Sequence, residues 1–131
     1  MKRSTIYQYY NPNPTGQKTD DCVVRALTLA LNTDWYNVYW TLSHRAAKKG
    51  TWGDRLPIWS SLLRDHGFKR YAIPNYCPDC YTFEDFALDH PKGIYVIATN
   101  THVAAVKDGV IFDAWDSRKE VPAYYFEKEL R

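Results

Sequence analysis

The run CVVRALTLALN, residues 22 to 32, leaves few folds open to this chain. Its polar members are Arg25, Thr28 and Asn32, which fall at i, i+3 and i+7 and form one thin stripe of a helix. Val23, Val24, Ala26, Leu27, Leu29, Ala30 and Leu31 cover the rest of the circumference. A helix so apolar all round has to be enclosed by other elements. The chain of 131 residues is long enough for one domain with one core around it, so residues 1–131 are read as a single domain. Aromatic residues make up 16% of it, which supplies enough buried area for a compact fold without staples.

The remaining pattern divides into helices first and strands after. TIYQYY reads as a short strand, and NPNPTG as a loop. The apolar helix is expected to start at Thr19 or Asp20, either of which can cap it. A second helix spans about Asp34 to Lys49 and stops at Gly50. A third spans about Leu56 to His66 and stops at Gly67. KRYAI is a short strand, PNYCPDC a loop, and Thr82 caps a short helix FEDFALDH that Pro91 ends. GIYVIATN, THVAAVK, VIFDAWD and PAYYFEK then read as consecutive strands, with Asp108-Gly109 at the centre of a tight hairpin turn. Helices followed by an antiparallel meander make an α+β pattern.

Composition excludes several roles. The net charge is +2 and the basic residues are scattered, so no basic stripe points to nucleic acid. The basic start, MKRSTIYQYY, has no apolar run behind it, and no segment is long enough to span a membrane. Three cysteines and no export signal suggest free thiols in a reducing, cytoplasmic compartment.

Cys22 opens the apolar helix. A thiol must become a thiolate to attack a carbonyl, and the unpaired N–H groups and dipole of a first helical turn favour negative charge there. Two features oppose this reading. Asp20 and Asp21 place negative charge beside the thiol, and a free cysteine is often just a small core residue. The thiol therefore needs a partner base. His44, His66 and His90 all fall near helix C-termini, where an imidazole is explained by the last carbonyls. His102 starts a strand and has no such explanation.

The hairpin supplies a geometric test. A two-residue turn pairs Lys107 with Val110, which puts residues 102, 104 and 106 on one face with 111, 113 and 115. Asp113 is then the diagonal neighbour of His102, placed to hold the imidazole and stabilise its charged form. A bulge would shift the register and favour Asp116 instead. A simple His102–Asp113 surface pair is the plainer alternative.

Cysteine at the start of a buried helix, then histidine on a strand, then a carboxylate on the next strand, resembles the papain-like cysteine peptidases. The segment GQKTDDC is similar to the glutamine-to-cysteine stretch of that superfamily, and most of all to the peptidase domains of bacteriocin-exporting transporters. The resemblance implies a papain-like fold, with a buried N-terminal helix carrying the cysteine packed on a C-terminal antiparallel sheet carrying histidine and aspartate. It implies Cys22 as nucleophile, His102 as base and Asp113 as its orienter. It also implies Gln17 as an oxyanion donor beside the Cys22 N–H, although Gln17 stands one residue closer to the cysteine than the family's glutamine. PDCYTFEDFALDHPKGIYVIATNTHVAAV and VIFDAWDSRKEVPAYY resemble short uncharacterised proteins of bacteriophages and prophages, which implies a viral or prophage origin.

The function these readings imply is acyl transfer or hydrolysis at an amide or isopeptide bond of a protein or peptide, with no cofactor. Two alternatives stay open. One is a papain-like scaffold that binds a protein without turnover. The other is a small zinc module on Cys77 and Cys80, whose spacing suits a metal and which His66 and His90 could complete. Two half-buried thiols in a turn are the plainer reading of that pair.

Overall fold

The computed structural model describes residues 5–129; the first four residues of the basic N-terminus, 1–4, lie outside it, as do 130 and 131. Four helices and six strands follow one another as β1 (Tyr7–Tyr9), α1 (Cys22–Ala30), α2 (Trp35–Lys49), α3 (Leu56–Asp65), β2 (Phe68–Ala72), α4 (Phe83–Asp89), β3 (Ile94–Ala98), β4 (Val103–Lys107), β5 (Val110–Asp113) and β6 (Tyr124–Lys128). The α+β expectation holds. The strands form one sheet in the order β1-β5-β4-β3-β6-β2, antiparallel except where β1 runs parallel to β5.

The four late strands do not form a simple meander. β3, β4 and β5 do, but β6 returns across the sheet to pair with β3, and β2 adds outside β6. The free edge of β5 is occupied by β1, and ten residues between β5 and β6 give the chain enough length to cross back. Within the β4–β5 hairpin the expected register is found: Lys107 faces Val110, and Val106 faces Ile111. Asp108 and Gly109 both take positive φ (50° and 80°), the backbone that a two-residue hairpin turn requires and that Asn, Asp and Gly tolerate.

Strand alternation splits the core between the two faces. Val96, Ala98, Val103, Ala105, Tyr124 and Phe126 pack under α1, α2 and α3. Tyr95, Ile97, Ala104, Val106 and Ile111 pack against Phe83, Phe86 and Ala87 of α4. Helix α1 is enclosed as its composition demands: Leu27 is fully buried and Ala26 and Ala30 nearly so. Two members of its polar stripe, Arg25 and Thr28, are also buried, while Asn32, past the end of the helix, is exposed. Thr28 satisfies itself by donating to the Val24 carbonyl at 2.6 Å.

Helix limits follow the expected caps with one exception. The Asp34 carboxylate accepts from the Asn37 N–H, and Gly50 closes α2 in the left-handed conformation. Thr82 and Asp85 form a reciprocal capping box on α4. Helix α1, by contrast, begins at Cys22 behind Asp21, later than expected, and Asp21 makes no side-chain capping bond. Its carboxylate is engaged elsewhere, with Arg25 and the Trp35 indole.

Candidate active site

Cys22, His102 and Asp113 come from three elements that meet at one end of the sheet. Cys22 is the first residue of α1. His102 directly precedes β4, where the Thr99 hydroxyl accepts from the His102 N–H (2.9 Å) and the His102 carbonyl accepts from the Thr99 N–H (2.8 Å). Asp113 ends β5 opposite Tyr9 of β1, and the Tyr10 N–H just past that strand donates to its carbonyl at 2.7 Å. The short parallel strand thus fixes the backbone that carries the carboxylate.

His102 Nε2 lies 2.6 Å from Asp113 Oδ2, a short, charge-assisted contact. The alternative partner Asp116 is exposed and pairs with Arg118. Cys22 and the His102 ring line the same groove, and the cysteine side chain adds to Asp113 in favouring the protonated ring. With Nε2 taken, Nδ1 is the nitrogen left for the sulfur. Trp115 leans over the ring with centroids 4.6 Å apart, and Phe83 of α4 lies nearly parallel to it at 6.4 Å.

The electrostatics favour an imidazolium. Burial opposes the charge on His102. The hydrogen bond to Asp113, then that to Cys22, then the charges of both, overcome it and push the ring up to about 9 from an ordinary 6.5. Burial likewise works against ionised Asp113. The His102 bond and charge, the Ser117 hydroxyl and the Ala114 N–H outweigh it and hold the carboxyl below its ordinary value. Asp113 is 1% exposed, so its oxygens need partners, and they have them. Oδ2 accepts from His102 and from Ser117 Oγ (2.6 Å); Oδ1 accepts from the Ala114 N–H (2.8 Å) and from Arg25 Nη2 (3.1 Å).

From the sequence, Arg25 is only part of a polar stripe and Asp21 only a charge that opposes the thiol, and Trp35 and Ser117 have no role. Arg25 Nη1 pairs with Asp21 Oδ1, and Trp35 Nε1 donates to Asp21 Oδ2 at 2.9 Å. The objection that Asp21 charges the thiol's surroundings therefore meets a counter-ion. One signal in the sequence points to this: a lone arginine in an otherwise apolar helix must find an acid when buried, and Asp21 is at i−4.

The other named residues lie elsewhere. The groove beside Cys22 and His102 encloses about 900 Å³ and is lined in the 17–19 segment by Lys18 and Thr19, with Gln17 outside it. Gln17 is exposed; its N–H donates to Thr15 Oγ1 and its carbonyl accepts from Asn11. The donor the resemblance implies is not at the groove, in keeping with its displaced spacing. Cys77 and Cys80 are joined by a disulfide, which corrects the expectation of free thiols there and removes them as zinc ligands, since a metal needs thiolates. His66 and His90 direct Nδ1 to the Leu62 and Phe86 carbonyls near the ends of their helices. Among the described residues no group of three His, Cys, Asp or Glu side chains could hold a metal, and no helix is long and apolar enough to cross a membrane.

Set against known proteins, the chain matches no family model, no curated protein and no solved structure.

Proposed function

We propose that this protein is a papain-like cysteine hydrolase or acyl transferase, of viral or prophage origin, acting on an amide or isopeptide bond of a protein or peptide. The observation that carries the reading is the meeting of a first-turn cysteine and an imidazole on one groove, with a buried carboxylate bonded to the ring from behind. His102 takes the Cys22 proton, and the sulfur attacks the carbonyl carbon. The Cys22 N–H, unpaired in the first turn, stabilises the oxyanion. The C–N bond breaks, and His102 returns its proton to the leaving amine. Water, or an acceptor amine, then attacks the thioester, giving a proton to His102 and releasing Cys22.

A chain-like substrate is favoured by the shape of the surface. The groove shares Thr19, Asp20, Val23, Asp54 and Arg55 with a second cavity of about 570 Å³. Val24, Trp35, Tyr39, Leu42 and Trp52 give that cavity an apolar wall, which suits a bulky apolar side chain next to the bond that reacts. Exposed Trp52 and Trp40 also favour the second reading, a protein-binding module without turnover, because such rings dominate interface energetics. The test is cleavage of a proteome-derived peptide library. Wild type is expected to generate new N-termini, and Cys22→Ala to generate none. Identical peptide profiles for the two would leave the binding module.

A further inference from the structure

Arg25 is the one charged residue of α1, and only 5% of its surface is exposed. A guanidinium keeps its charge at any pH a protein survives, so it cannot escape the cost of burial by losing a proton. Its two terminal nitrogens go to two carboxylates, Nη1 to Asp21 and Nη2 to Asp113. Both carboxylates bear on the reacting pair: Asp21 immediately precedes Cys22, and Asp113 binds His102. Neither depends on Arg25 for its place. Ala114, Ser117 and His102 hold Asp113, and Trp35 holds Asp21. What Arg25 adds is charge.

We propose that Arg25 is a positioning residue that acts through Asp21 and Asp113: it divides one positive charge between them, lifting the negative field from the Cys22 sulfur and limiting how firmly Asp113 holds the proton on His102. The inference rests on the thiol–imidazole reading above. Without Arg25, the buried carboxylate of Asp21, next in the chain to Cys22, is left uncompensated and its charge opposes the thiolate. Asp113 then puts its whole charge on the imidazolium, which gives up its proton to a leaving group less readily. The titratable groups facing His102 are Asp113 from β5 and Cys22 from α1; Phe83 of α4 and Trp115 present uncharged rings. Tyr124 of β6 lines the groove as a neutral phenol, raised by burial. Lys18, Asp20, Asp54 and Arg55 stand at the groove in contact with solvent, which screens them.

The test uses the full chain, iodoacetamide as thiol probe and NMR titration of the His102 ring. In Arg25→Gln the Cys22 alkylation rate at pH 7 is expected to fall about tenfold, while the His102 midpoint moves up. A merely loosened site would move that midpoint the other way, toward 6.5. Adding Asp21→Asn to Arg25→Gln restores the rate but leaves the midpoint high. Arg25→Lys keeps the charge but not the fork that reaches both carboxylates, and is expected to recover part of the rate lost in Arg25→Gln. Should Arg25→Gln fail to fold, Asp21→Asn alone leaves all the guanidinium charge to Asp113: the rate rises and the midpoint falls. An unchanged rate and midpoint in Arg25→Gln, or a midpoint that falls, overturns the proposal, as does a slower rate in Asp21→Asn. His102→Ala separates the two failures. If it leaves the rate untouched, the thiol–imidazole reading is lost; if it slows alkylation and Arg25→Gln does not, only the role of Arg25 is lost.

Discussion

The sheet end at His102 and the loop at Cys77 carry the same kinds of side chain in opposite surroundings. Around His102 the polar groups are buried and fully partnered: Asp113 has four hydrogen-bond donors, and Arg25 has two carboxylates. Around Cys77 the chain is exposed and its sulfur is spent in a disulfide with Cys80. Low dielectric strengthens each contact in the first region and makes each loss costly. In the second region solvent replaces whatever is removed. Residue type alone therefore says little; a cysteine or histidine becomes a candidate for chemistry when its neighbours are buried and aimed at it.

The comparison breaks most sharply at Asp113. Asp113→Ala leaves Arg25 and His102 facing an empty position, and unfolding in urea is expected to show a loss of about 3–5 kcal/mol. Asp116→Ala, three residues on and paired only at the surface with Arg118, is expected to change stability by about 0.5 kcal/mol or less. Equal effects at the two positions would erase the distinction between the buried network and the surface.

The pH dependence of stability is the next largest effect. His102 titrates higher in the folded chain than the ordinary 6.5, so its contribution is full below about 6.5 and is lost as pH rises through about 9. Asp113 titrates lower than 3.8, so its contribution is present above that value and lost as pH falls through the folded one. Urea midpoints are expected to be highest between these limits, and His102→Ala to flatten the alkaline limb. An alkaline limb that is the same in His102→Ala assigns the loss to other groups.

The smallest effect belongs to the loop. Opening a disulfide that closes so short a segment, by Cys77→Ser, is expected to cost about 2 kcal/mol or less and to leave Cys22 reactivity unchanged. A change in Cys22 alkylation on that substitution would join two regions that the structure keeps separate.

Local patterning accounts for what the sequence discloses. The apolar circumference of α1 requires enclosure, and the Asp108-Gly109 turn sets the hairpin register, from which Asp113 rather than Asp116 follows as the partner of His102. Strand order is not local. Nothing in PAYYFEK says that β6 pairs with β3 and not β5, because alternation reports a strand's faces and not its neighbours. Gln17 follows from resemblance alone, without a local reason, and lies outside the groove. The inward Arg25 was legible only as a charge without a visible partner, since Asp113 lies far along the chain.

The central claim is that the Cys22 sulfur and the His102 imidazole act as one unit. It is tested most directly by the rate constant for iodoacetamide alkylation of Cys22 at pH 7, in wild type and in His102→Ala. Removal of the base is expected to slow the reaction about a hundredfold, the low end of what a positioned acid–base group contributes. Equal rates in the two proteins would contradict the claim.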